Sequence, residues 1–174
     1  MLKVLLSLCL VSIGGVVSFY SLSVQSNNGS EIHFKNFRNR KILLVNTATN
    51  SEYVNQLQEL QQLSVMLGDT LMIVACPSNS FGNEPLNDSA LNQVMRNSYH
   101  LTFPISVKSP VLGDSSNNIY KWTARKDWND VSNTVVKGDY YKYLINGSGK
   151  LVGIFDCSVS PLSEEILRAI RSNR

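Results

Sequence analysis

Residues 41–75 read KILLVNTATNSEYVNQLQELQQLSVMLGDTLMIVA, and this stretch decides the fold. Its two ends, Ile42 to Val45 and Leu71 to Ala75, are continuous apolar runs. They lack the alternation of a half-exposed strand, so each is expected to be covered on both faces. Between them Val54, Leu57, Leu60, Leu63 and Leu67 recur at spacings of three and four, the period of an amphipathic helix. That helix stops at Gly68-Asp69 and has Asn50 or Ser51 near its N-cap. Strand, helix and strand in this order predict a central parallel pair.

On either side lies a hairpin marked by an Asn-Gly turn between apolar-rich segments. Tyr20 to Val24 pairs with Ile32 to Phe34 around Asn28-Gly29, and Tyr141 to Ile145 pairs with Leu151 to Phe155 around Asn146-Gly147. Helical stretches are expected over Ala90 to Asn97, after Asp88-Ser89, and around Ile119 to Ala124. A final helix is expected with Ser160 as cap, Pro161 in its first position, Glu164 and Glu165 in its first turn, and Leu162, Ile166 and Ile170 as its apolar stripe. This order is that of an α/β, thioredoxin-like domain: a central mixed sheet flanked by helices, with an N-terminal β-hairpin.

The length of 174 residues suits one domain with a real core. A composition 43% apolar and 17% charged is that of a folded protein and excludes a disordered chain. The net charge of +3 is mild, and apart from His33, Lys35, Arg38, Arg40 and Lys41 the basic residues are scattered. With no nucleic-acid motif near it, that cluster reads as a solvated loop or strand edge, so no nucleic-acid partner is expected. Met1 to Ser18 carries one cation, Lys3, followed by an apolar stretch from Val4 to Val17 that ends in small residues. This reads as a secretory signal, cleaved after Ser18, ahead of a domain over 19–174. The expected location is therefore outside the cytoplasm, periplasmic or secreted, with an uncleaved membrane anchor as the alternative. The apolar core of about 14 residues is short of the ~20 needed to span a bilayer, and Gly14-Gly15 weakens it as a helix.

Four segments carry a resemblance to a known family: Lys41 to Ala48, Pro77-Ser78-Asn79-Ser80-Phe81-Gly82-Asn83, Tyr99 to Ile105, and Lys142 to Lys150. In order and spacing they resemble glutathione peroxidases, and the resemblance runs from about Phe19 to Ile170. It is weakest between Trp122 and Tyr140. The resemblance implies thiol-dependent reduction of hydroperoxides, in which a cysteine or selenocysteine sits after the first central strand and the following helix N-terminus favours its ionised form. Here that position is Ser51. A thiolate attacks a peroxide oxygen to give a sulfenic acid, which a second thiol reduces; a serine oxygen has no such oxidation state.

The supporting positions that the family fills depart as well. The glutamine of its Pro-Cys-Asn-Gln-Phe-Gly motif falls on Ser80, and its Trp-Asn pair falls on Gly138 and Asp139. Ser80 is too short to replace a glutamine, Gly138 has no donor, and a carboxylate at Asp139 disfavours a neighbouring thiolate. The resolving cysteine of some members is absent around Ala90 to Tyr99, where Met95 stands. The expectation is a non-catalytic binding or scaffold protein, with a polar cleft near Ser51, Ser80 and Asp139. The rival is a weak thiol peroxidase or oxidoreductase using Cys76 as an alternative nucleophile. Glutathione or thioredoxin would be partners only in that second case.

Other constellations carry little. Cys157 follows the last strand and is a weaker candidate than Cys76, while Cys9 lies inside the leader, preceded by a bulky Leu8 unsuited to lipid attachment. His33 and His100 lack the paired spacing of a metal site, so neither a metal nor a cofactor is expected. No Gly-x-Ser-x-Gly elbow supports a hydrolase triad built on Ser51 and Asp139. Asn-x-Ser sequons at Asn28, Asn87 and Asn146 matter only where exported proteins are glycosylated. Cys76 and Cys157 are expected to remain free thiols, because the sheet order places three inter-strand steps, about 14 Å, between them.

Overall fold

The computed structural model describes residues 15–172. A short hairpin of β1 (Ser23–Gln25) and β2 (Glu31–His33) leads into β3 (Lys41–Thr47), α1 (Gln56–Leu67) and β4 (Leu71–Pro77). Then come α2 (Asp88–Gln93), which widens into a π-type turn at Val94–Ser98, α3 (Asn118–Thr123) and α4 (Lys126–Asn129). The chain closes with β5 (Lys142–Ile145), β6 (Leu151–Phe155) and α5 (Glu164–Arg171).

The four-stranded sheet has the order β4-β3-β5-β6. β3 and β4 are parallel, in register from Lys41 opposite Leu71 to Thr47 opposite Pro77, and the final hairpin adds two antiparallel strands. This is the mixed sheet that the apolar runs and the second hairpin require.

Both faces of the sheet are covered, which is why β3 and β4 do not alternate. Leu43, Val45, Ile73, Ala75 and Leu144 pack under Leu57, Leu60 and Leu63 of α1 and Ile166 and Ile170 of α5. The opposite face carries Ile42, Leu44, Val74 and Tyr143, which meet Phe19, Phe34, Ile119, Tyr120 and Trp122. Burying each large apolar side chain contributes about 1.5–3 kcal/mol relative to exposure.

Three local expectations shift. α1 starts at Gln56 with Asn55 as its cap, and Asn50 and Ser51 lie in the turns before it. Those turns make i to i+3 bonds, Val54 N–H to Ser51 O at 3.1 Å and Gln56 N–H to Tyr53 O at 2.9 Å, so the entering N–H groups need no side-chain cap. In α5 the cap is Ser163, whose hydroxyl accepts from Ile166 N–H; Ser160 instead donates to Glu59 at 2.5 Å and leaves Pro161 and Leu162 in the turn before the helix. Each hairpin loop holds three residues between Ser26 and Ser30 or between Asn146 and Lys150. The left-handed position is its third residue, Gly29 (φ +89°) or Gly149 (φ +86°), the geometry of a turn followed by a glycine bulge. In the second hairpin the decisive glycine is therefore Gly149, not Gly147.

Of the leader expected over Met1 to Ser18, residues 1–14 lie outside the described residues. Among the described residues no helix is long and apolar enough to cross a membrane. Val17, however, belongs to the folded domain: its N–H donates to Trp128 O at 2.9 Å and its carbonyl accepts from the buried Trp122 indole N–H at 2.7 Å. Cleavage after Ser18 would remove both bonds. A chain starting at Phe19 is accordingly expected to be about 1–3 kcal/mol less stable in urea unfolding than one starting at Gly15, the cost of orphaning a buried donor. Equal midpoints and slopes would show that the Val17 bonds contribute nothing.

Candidate active site

At the C-terminal end of β3 the chain turns through Ala48 to Ser51, and a buried carboxylate holds this turn. Glu84 accepts from Thr49 N–H and Thr49 hydroxyl, both at 2.8 Å, and from Leu86 N–H at 3.2 Å. Asn50 N–H bonds Asn83 O at 3.0 Å. The two loops are thereby fastened to each other. Ser51 is 6% exposed, and its hydroxyl accepts from Tyr53 N–H at 3.3 Å.

The segment before β5 is fastened to the same strand end. Asn46 donates through its side chain to Gly138 O at 3.0 Å, accepts from Tyr141 N–H at 3.1 Å on its amide oxygen, and accepts from Tyr140 N–H at 2.7 Å on its backbone oxygen. Tyr140 adopts a left-handed conformation (φ 63°), a strained choice for a bulky residue. Its phenol donates to Ala48 O at 3.0 Å, and burial pushes its pKa well up.

Between these loops lies a cleft of about 520 Å³ lined by Ser51, Tyr53, Phe81, Asn83, Gly138 and Asp139, with Glu52, Lys137, Asp156 and Cys157 completing it. The sequence positions Ser51, Gly138 and Asp139 are thus brought together. Ser80 is not among the lining residues: its hydroxyl accepts from Val111 N–H and from the Ser78 hydroxyl, both at 3.0 Å. A larger concavity of about 600 Å³ opens beside Lys41 at the other end of β3. The Lys41 ammonium is already engaged there by the carbonyls of Ala169, Ile170 and Ser172, closing the end of α5.

The two thiols change places relative to expectation. Cys76 is fully buried on β4, absent from the cleft lining, and desolvation pushes its pKa up to about 12, against a partial lowering by the Ser106 and Tyr120 hydroxyls. Such a thiol is a packing group. Cys157 lines the cleft. Desolvation raises its pKa first, then the charge of Asp156, with Asp139 adding to the effect and Lys142 opposing it. Both cysteines are free, in keeping with the three inter-strand steps between them.

Gly138 and Cys157 are fitted to one another. A Cβ built on Gly138 would stand 2.7 Å from Cys157 Sγ, so the sulfur fills space that any larger residue at 138 would claim. Sequence reading had no signal for this pairing, because the two residues are far apart in the chain and on different elements. Behind them lies Lys142, fully buried on β5, whose ammonium donates to Tyr140 O at 2.7 Å and to Asp156 O and Cys157 O at 3.4 Å. Its one trace in the sequence is a lysine flanked by tyrosines within an apolar strand. Among the described residues no cluster of three His, Cys, Asp or Glu side chains is placed to hold a metal.

A family model described as glutathione peroxidase matches residues 19–124. Glutathione peroxidase-like peroxiredoxin 1 of Saccharomyces cerevisiae is 31% identical over 83% of this chain and 87% of that protein. Glutathione peroxidase-like peroxiredoxin GPX5 of Chlamydomonas reinhardtii is 30% identical over 87% and 97% respectively. The crystal structure of T. cruzi GPX1 covers 90% of this chain and 99% of its own with a TM-score of 0.65 at 19% identity, which shows a shared fold.

Burial lowers the Lys142 pKa from the ordinary 10.5 to about 8. Between those values the unfolded chain holds a proton that the folded chain has released, so this residue's contribution to stability rises with pH across the window; below about pH 8 its penalty is fully present. The stability of the wild type relative to Lys142→Met is expected to increase by about 3 kcal/mol from pH 8 to 10.5, at about 1.4 kcal/mol per pKa unit. Urea unfolding of both proteins at several pH values checks this, and a flat difference would show that Lys142 titrates normally.

Proposed function

The chain belongs to the glutathione peroxidase family, and we propose that it is an exported, non-catalytic member whose vacated peroxide site serves as a binding cleft. The observation that carries this reading is the serine hydroxyl at the nucleophile's position, built into an otherwise intact loop. The family reaction needs an atom that can pass to a sulfenic or selenenic state and back, and oxygen bound to carbon does not do so. The surroundings support the same reading. Ser80 is turned away from the cleft, Gly138 offers no donor, and Asp139 places negative charge where a thiolate would need the opposite.

Export rests on Lys3 and the apolar stretch that follows it. The bonds to Val17 favour a mature chain that keeps this residue, either by cleavage upstream of it or by retention of the segment as an anchor.

A second reading is favoured by one observation: Cys157 lines the cleft that Ser51 lines. In it a residual thiol peroxidase works from Cys157, at a rate limited by its raised pKa, with glutathione or thioredoxin as reductant. Cys76 does not serve, because peroxide has no route to a fully buried thiol whose pKa is about 12.

Consumption of hydrogen peroxide and of an organic hydroperoxide, with glutathione and thioredoxin as separate reductants, divides the two. No turnover above a protein-free background is expected. Turnover of roughly 1 per second or more that is lost in Cys157→Ala would establish the second reading. Turnover that survives both Cys157→Ala and Cys76→Ala would sink both.

Reversion provides a further check. Ser51→Cys alone is expected to restore little activity, and adding Ser80→Gln, Gly138→Trp and Asp139→Asn is expected to help only when Cys157→Gly clears the sulfur from the space an indole needs. Equal rates with and without Cys157→Gly would show that the sulfur does not obstruct position 138.

A further inference from the structure

Asp139 is 4% exposed, yet only one of its carboxylate oxygens is satisfied. Oδ2 accepts from Asn83 Nδ2 at 2.7 Å; Oδ1 is buried with no hydrogen-bond partner. A second unpaired acceptor belongs to a residue bonded to the cleft-lining Cys157. Gln56 is 6% exposed and its amide nitrogen donates to Cys157 O at 2.7 Å, which leaves its Oε1 buried and unpaired. Both unpaired atoms are acceptors, and the one that lines the cleft, Asp139 Oδ1, suits a hydrogen-bond donor.

The charge of the cleft narrows the choice of donor. Among the described residues Glu52, Asp139 and Asp156 line it against one lining cation, Lys137, with the buried Lys142 ammonium behind Cys157 as a partial counterweight, which leaves the carboxylates in excess. The effect of these charges is felt by Tyr53, whose phenol pKa is raised, first by Glu52 and then by desolvation, with a contribution from Asp156. A single water would complete one acceptor but would leave the excess of negative charge unanswered. The half-buried rings of Tyr53 and Phe81 supply walls of the kind that attract a cation through their faces.

We propose that this cleft binds an organic ammonium group, R–NH3+, hydrogen-bonded to Asp139 and seated against the Tyr53 and Phe81 rings. The proposal rests on the binding-cleft reading above and gives it a ligand class. Anionic ligands are disfavoured by the same carboxylates, so a tripeptide carrying net negative charge, such as glutathione, is a poor occupant. The ammonium has two available sources, a free diamine or the side chain of a lysine in a peptide.

The test is a titration of 15N-labelled protein followed through its amide resonances. The probes are 1,4-diaminobutane and Nα-acetyl-lysine methylamide, with the Nε-acetylated lysine derivative and inorganic phosphate as neutral and anionic controls. Saturable shifts at Ser51, Tyr53, Asn83 and Asp139 are expected with one or both ammonium probes and not with the controls; whichever probe binds more tightly identifies the source. Asp139→Asn preserves an acceptor for Asn83 while removing the charge, and is expected to weaken binding about tenfold or more. Should that variant fold poorly, Glu52→Gln and Asp156→Asn, at exposed positions, are each expected to weaken binding by a smaller factor.

No saturable shift with either ammonium, equal response to the Nε-acetylated control, or unchanged affinity in the carboxylate variants would overturn the proposal. The peroxide assay stands apart from this result. A protein with neither turnover nor ammonium binding keeps the non-catalytic reading and loses the ligand; a protein with turnover loses the reading itself.

Discussion

The site depends on how Asn46, the penultimate residue of β3, grips the segment that precedes β5. One buried side chain and its own carbonyl make bonds to Gly138, Tyr140 and Tyr141. They force the chain through a left-handed residue at Tyr140, a conformation that costs about 1–3 kcal/mol in a non-glycine residue. The cost is offset because every polar group of Tyr140 is occupied: its N–H by Asn46, its carbonyl by the buried Lys142, its phenol by Ala48. The turn delivers Asp139 into the cleft and leaves Gly138 against Cys157. The Asn83 amide, donating to Asp139 at 2.7 Å, adds a second tie between the two sides of the cleft.

The opposite side is held with equal economy by Glu84. A carboxylate with no exposure ordinarily demands a cation, but here three N–H and O–H donors from Thr49 and Leu86 take its oxygens. The turn carrying Ser51 is thereby locked to the loop carrying Phe81 and Asn83. The serine hydroxyl of Ser51 is thus held in a fixed place at the cleft. A rigid frame around a cleft with unpaired acceptors is suited to recognition, since little ordering remains to be done when a ligand arrives.

Electrostatics and packing act together on the two thiols. Cys76 sits on β4 under the aromatic layer of Tyr120 and Tyr143, where desolvation alone holds it protonated. Cys157 is at the cleft but faces two carboxylates, with the Lys142 ammonium as a partial counterweight. Proximity to the site and ionisability are separate requirements for a reactive thiol, and neither cysteine meets both.

The sequence by itself determined the sheet and its covering. Unalternated runs at Ile42 to Val45 and Leu71 to Ala75, an apolar stripe from Val54 to Leu67 between them, and a closing hairpin leave few arrangements other than the observed strand order, because each pattern states how many faces of its element are buried. It also placed a serine, Ser51, in the turn that follows β3, which is the position that the resemblance assigns to the family's nucleophile. What it misplaced were features settled by competition between neighbours. Ser160 has the look of a cap, but its hydroxyl accepts from Leu162 N–H in the turn before α5 while donating to Glu59, and Asn50 and Ser51 are kept out of α1 because Glu84 and Asn83 hold their turn. The Ser80 hydroxyl accepts from Val111 N–H, a partner that the sequence does not indicate. Only the tertiary structure decided that Cys157, and not Cys76, reaches the cleft, and that Asp139 keeps an unpaired oxygen there. Those facts depend on contacts between residues far apart in the chain, and no local pattern of residue types encodes which polar atoms such contacts satisfy.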